Sequence, residues 1–193
     1  MKKLATLFSG SFREFGHVST ITIAAFMAAV SIVLTLPTLA FGDYIKIGFA
    51  TIPAQIVYYL FGPAVGAGFG VAKDVLNYIV KPTGAFFPGF TFSAMLAGML
   101  YGSFFYKQNL TFKRILAAEF VVSLVCNVIL GTLWLTILYE KGYLAILPMR
   151  ALKNLIMWPI NSGIFYTVVK ILETSGIFRV VRDLKVYGRA AAK

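Results

Sequence analysis

Three sets of polar side chains stand inside otherwise apolar stretches of this chain, and their types suit recognition of a small polar molecule better than bond-breaking chemistry. Asp74, Asn77 and Lys81 lie at i, i+3 and i+7, one face of a helix. Glu119, Ser123 and Asn127 lie at i, i+4 and i+8, with Trp134 one heptad beyond. Arg150, Lys153, Asn154 and Trp158 repeat at about helical spacing. An ionisable group at mid-membrane costs on the order of 2.5–3.5 kcal/mol by insertion scales, so each must face protein or water. Such lines serve either a structural hydrogen-bond network or a ligand pocket. Loops rich in Pro, Gly and Phe adjoin Asp74, Asn127, Arg150 and Asn154, which favours the pocket for these four; Lys73 and Glu119 stay open between the two readings.

Constellations for catalysis are missing from the sequence. His17 is the single histidine and Cys126 the single cysteine, so neither a metal cluster nor an intrachain disulfide can be assembled. No G-x-x-x-x-G-K-[ST] stretch offers a cradle for ATP. Asp74 and Glu119 have no His, Cys or second carboxylate nearby in sequence, which argues against a membrane enzyme acting on lipid. A channel needs a polar stripe through the whole membrane, whereas these lines, Glu119 apart, gather toward one side. No repeat relates residues 1–96 to 97–193, which disfavours a lone secondary transporter.

The elements that must position these groups follow from composition. Of 193 residues 59% are hydrophobic and 13% charged, about half the charge a soluble domain carries. This is the composition of an all-α integral membrane protein: one transmembrane domain, with no room for a soluble motor. Apolar lengths, punctuated by Pro37, Gly42, Gly62 and Pro63, predict six spans at about 21–39, 47–60, 64–80, 90–106, 115–139 and 151–172, the second short and bent. Span three, with Gly62, Gly66 and Gly70, is smooth enough for the bundle centre. Leu4 to Phe8 is too short for a secretory core, so no cleaved signal is expected.

The net charge of +11 orients the bundle. With the N-terminus inside, the cytoplasmic side holds Lys2, Lys3, Arg13, Lys107, Lys113, Arg114 and Lys170, together with the basic tail 173–193. Only Lys46, Lys81, Lys141, Arg150 and Lys153 fall outside. Both termini are therefore expected in the cytoplasm. Ile177, Phe178, Val181 and Leu184 recur at helical spacing among Arg179, Arg182, Lys185 and Arg189, so the tail reads either as a helix on anionic lipid or as a frayed end. Membrane phospholipid, not nucleic acid, is the partner for this charge. On span one Ala24, Ala25, Ala28 and Ala29 form a flat strip for close helix approach, within the bundle or against a partner.

The segment IKIGFATIPAQIVYYLF at 45–61, followed by GPAVG, Asp74, PTGAFFPGFT at 82–91 and RALKNLIMWPI at 150–160, resembles the substrate-binding S components of energy-coupling factor (ECF) vitamin transporters, the folate family in particular. The resemblance implies a six-helix fold in a bacterial plasma membrane and a vitamin captured near the outer face by helices four to six and the outer loops. It implies docking on a transmembrane coupling subunit (EcfT) driven by two ATPases (EcfA and EcfA'), with transport by toppling within the bilayer. On this reading the alanine strip becomes the docking surface and folate is cargo, with no cofactor or metal. Phe87, Phe90, Trp134, Trp158, Asn77, Asn127 and Asn154 suit the flat pterin by stacking and hydrogen bonding, and Arg150 and Lys153 suit the two carboxylates of the glutamate tail. Another vitamin, such as pantothenate or thiamine, is the alternative.

Overall fold

The computed structural model describes residues 2–35, 38–41, 45–82, 85–140 and 142–176. Helices α1 (Lys2–Glu14), α2 (Val18–Val33), α3 (Thr51–Val80), α4 (Pro88–Phe105), α5 (Phe112–Tyr139) and α6 (Tyr143–Thr174) make up the bundle. A short antiparallel ribbon, β1 (Thr38–Phe41) with β2 (Ile45–Gly48), joins α2 to α3. The expected all-α class therefore holds for the bundle. Span one is shorter than expected, because the chain leaves the helix after Val33 and Leu39 lies in β1. The start expected for span two, Ile47, likewise lies in β2.

Helix α3 is two rods. Gly62 has φ 85° and ψ −169°, a conformation open to glycine, and Pro63 after it has no N–H to continue a helical ladder. The chain doubles back there. The rings of Tyr58 and Phe69 lie 5.9 Å apart, whereas a straight helix would hold the two positions about 16 Å apart. The arms 51–61 and 63–80 thus lie side by side, with a tight turn at Gly62 and Pro63 where the punctuation placed one. Against the second arm packs α4, so closely that a Cβ at Gly66 would meet the Gly98 carbonyl oxygen at 2.6 Å. This is why that arm is smooth.

A helix before span one was not expected, since its apolar stretch is short. What holds α1 is Ser11, fully buried at the Gly62 break. Its hydroxyl donates to the Phe61 carbonyl at 2.6 Å and accepts from the N–H groups of Ala64 and Val65 at 3.0 and 3.2 Å. These amides begin the second arm and have no partner inside it, so Ser11 caps that arm from another element. Residues Thr6–Glu14 of α1 meet α2 at a bend of 87°.

The core runs through Phe61, Phe105, Ile115, Val57, Phe165 and Val169, all essentially without exposure. Below it Glu119 accepts from Tyr101 Oη at 2.8 Å and from Gln55 Nε2. That network ties α5 to α4 and to the first arm of α3, which places Glu119 in the structural role. Ser123–Leu130 of α5 is wound as a π-helix. Helix α6 begins earlier than the expected residue 151. Pro148 lies close to its start, where the helical bond it forfeits falls to the carbonyl of Leu144, a residue 80% exposed. By length and composition α5 and α6 are apolar enough to cross a membrane, as are the 30 residues of α3 counted through the Gly62 break, and the bent α1–α2 pair passes the same test when joined.

The alanine strip is divided. Ala28 is buried and Ala24 packs against the core, whereas Ala25 and Ala29 face outward. An open strip on α2 thus consists of one small-xxx-small pair, not two. The expected tail helix, from residue 177 onward, and Lys141 lie outside the described residues.

Candidate ligand-binding cleft

At the end of the bundle opposite the Gly62 turn, three adjoining cavities share their walls. An aromatic lobe of about 480 Å³ is lined by Tyr78, Phe86, Phe87, Phe90, Leu138 and Tyr139, with Asp74, Asn77 and Lys81. A cationic lobe of about 520 Å³ is lined by Arg150, Lys153, Asn154, Asn161, Asn127 and Met157. Thr35 and Leu135 line both. Behind them an inner lobe of about 210 Å³ is bounded by Gln55, Tyr58, Lys73, Tyr101 and Asn127, and it shares Asp74 and Asn77 with the aromatic lobe. The two larger lobes have the size of small-molecule sites.

Local structure explains how these side chains are held. Phe87 precedes α4 in an extended conformation and Pro88 supplies the fixed φ of the first helical turn, which sets the phenyl ring beside Phe90 at 6.1 Å and Trp134 at 5.7 Å. Trp134 donates from Nε1 to Ser93 Oγ at 2.8 Å, fixing the indole. Asp74 accepts from Thr91 Oγ1 on Oδ2 at 2.7 Å, which leaves Oδ1 for other donors. Arg150 reaches the Gly131 carbonyl with Nη1 at 3.3 Å; a Cβ at Gly131 would lie 2.7 Å from Nη2, so the glycine makes room for the guanidinium. Among the described residues no carboxylate lines the cationic lobe.

Nine of the ten residues expected at the site line one of the lobes or, for Trp134, pack on a ring that does. Their surroundings refine several. Asn154 already accepts from Ser123 Oγ at 3.0 Å and donates to the Arg150 carbonyl at 2.9 Å, so it braces the cationic lobe. Asn127 faces open space shared by the cationic and inner lobes. Trp158 is the exception. It packs on Phe120 at 5.0 Å, donates from Nε1 to the Leu116 carbonyl at 2.8 Å, and lines none of the three lobes. Sequence spacing missed Thr35, Gln55 and Tyr101, whose walls carry no ionisable line of their own, Tyr78, which stands beside the Asp74–Asn77–Lys81 line without being part of it, and Asn161, which lies beyond Pro159.

A family model described as the substrate-specific component of ECF transporters matches residues 19–169. The chain belongs to this family. It is 34% identical over 164 residues to a folate transporter FolT of Clostridium novyi, covering 85% of this chain and 95% of that protein. A folate transporter FolT of Leuconostoc mesenteroides is 31% identical over 150 residues, covering 75% and 80%. The riboflavin transporter FmnP of Bacillus subtilis is 31% identical over 129 residues, covering 66% and 65%. Among solved structures, that of a FolT bound with folic acid aligns with a TM-score of 0.70 at 30% identity, covering 78% of this chain and 92% of that one. As an ECF substrate-specific component the chain is a multi-pass membrane protein of a transporter. The family match begins inside α2, so α1 and its Ser11 cap lie outside it.

Proposed function

We propose that this chain is the folate-binding subunit of an ECF importer. The observation that carries the reading is the cleft itself: an aromatic lobe and a cationic lobe meet at Thr35 and Leu135, in a chain whose relatives include folate transporters. Folate has the same polarity from end to end. Its pterin stacks on Phe87 and Phe90, and the Asp74 carboxylate accepts the paired N–H donors of the pyrimidine edge, Oδ1 taking one and the remaining lone pair of Oδ2 the other, with Asn77 beside it. Its two glutamate carboxylates take Arg150, which can pair in two parallel bonds, and Lys153 as a point charge. Asn127 bonds between the lobes, Asn154 keeps Arg150 in place, and Trp134 backs Phe87.

Six spans with both termini in the cytoplasm put the cleft at the outer face and the α1–Gly62 end inside. Ala25 and Ala29 face the coupling subunit EcfT, two ATPases (EcfA and EcfA') supply the energy, and toppling of the whole subunit carries the ligand inward. The cargo is folate, and no cofactor takes part. Riboflavin, suggested by the relative FmnP, would leave the cationic lobe without an anion to pair.

Titration calorimetry of purified protein with folate, 5-formyltetrahydrofolate, riboflavin, pantothenate and thiamine tests the assignment. Tight binding of the two folates alone is expected. Tight binding of any other vitamin, with folate silent, would overturn it.

A further inference from the structure

Lys73 is an ammonium inside a membrane-spanning arm, and the ligand contacts above make no use of it. Its Nζ donates to the Ala50 carbonyl at 2.9 Å, an oxygen that also accepts from Ser31 Oγ at 2.5 Å. One turn further along the same face, Asn77 Oδ1 accepts at 3.3 Å from Thr35 Oγ1, which also bonds the Ser31 carbonyl at 2.9 Å. Lys73 and Asn77, at i and i+4, therefore hold two points of the opposite wall: the end of α2 and the start of α3. Both points border the cleft. Thr35 stands with Leu135 where the aromatic and cationic lobes meet, and Ala50 lines the cationic lobe.

We propose that Lys73 is a positioning residue that, with Asn77, sets the width of the passage between the two lobes and so selects an elongated ligand that fills both. The inference rests on the folate reading. A ligand with an aromatic head and an anionic tail must pass Thr35 and Leu135, and that wall keeps its place because a half-buried cation grips the Ala50 carbonyl. Met in place of Lys73 keeps the aliphatic stem and removes the donor, which frees the wall to shift. A ligand confined to one lobe does not feel the change.

The test compares folate with its two halves, pterin-6-carboxylate and p-aminobenzoylglutamate, measured by competition against bound folate in the full-length protein. Lys73→Met is expected to weaken folate about tenfold, mainly through faster dissociation, while both halves stay within twofold of wild type. Lys73→Arg, which keeps a cationic donor, restores most of the loss. Folate binding unchanged in Lys73→Met, or equal losses for folate and both halves, would overturn the inference and leave the folate reading standing. Wild-type protein that binds no folate would overturn both.

Discussion

Polar side chains in this bundle divide by whether their hydrogen bonds are already made. Glu119 has both carboxylate oxygens engaged, by Tyr101 and Gln55. Glu119→Leu orphans two buried partners, at about 1–3 kcal/mol each, and is expected to lower the thermal midpoint markedly; Glu119→Gln, which can still bond both, is expected to lower it less. Asp74, Asn127 and Arg150 keep capacity to bond a ligand, and the sequence singled them out by the loops beside them. The same reasoning misplaced Trp158. At 100° per residue, eight positions from Arg150 rotate a helix about 80° off the starting face and move it about 12 Å along the axis, so the indole meets Phe120 instead of the cleft. Lys73 was left undecided for a related reason: its partner is a backbone carbonyl, and no residue type advertises one.

Elements were legible where apolar length and punctuation decide them. Gly62 and Pro63 announced the hairpin of α3, and the small residues after them its central place. Less legible was anything fixed by a contact distant in sequence. Ser11 anchors α1 at a break fifty residues away, and nothing in KKLATLFSGSFRE names that target. Ser11→Ala removes the side-chain acceptor of the Ala64 and Val65 amides, so a loss of about 1–3 kcal/mol is expected, read as a lower thermal midpoint in detergent. The alanine strip gives a second prediction at this scale. Leu at Ala25 and Ala29 is expected to abolish uptake in vesicles containing the coupling subunit and ATPases while folate binding persists. Leu at Ala24 and Ala28, which pack inward, is expected to destabilise the subunit itself. Uptake unchanged by the first pair would remove the strip from the docking surface.

Across the whole molecule, the bundle separates an end that is locked from an end that is open. The Gly62 turn, Ser11 and Tyr106 fill one end; the lobes, with Lys81, Arg150 and Lys153, open at the other. On the proposed topology the net charge of +11 splits into an orienting majority and a few cations at the mouth. In a Cys126→Ser background, a cysteine at Glu140 is expected to react with an impermeant maleimide on intact cells, and one at Gln108 only after permeabilisation; the reverse pattern would invert the topology. The cationic lobe gives the most direct measurement of all: the affinities of folate and of pteroate, which lacks the glutamate, in wild type and in Arg150→Ala. A charged hydrogen bond is worth about 1.5–3 kcal/mol, so folate is expected to weaken by roughly 10- to 100-fold while pteroate barely changes. Equal losses for the two ligands would contradict the assignment of this lobe to the glutamate tail.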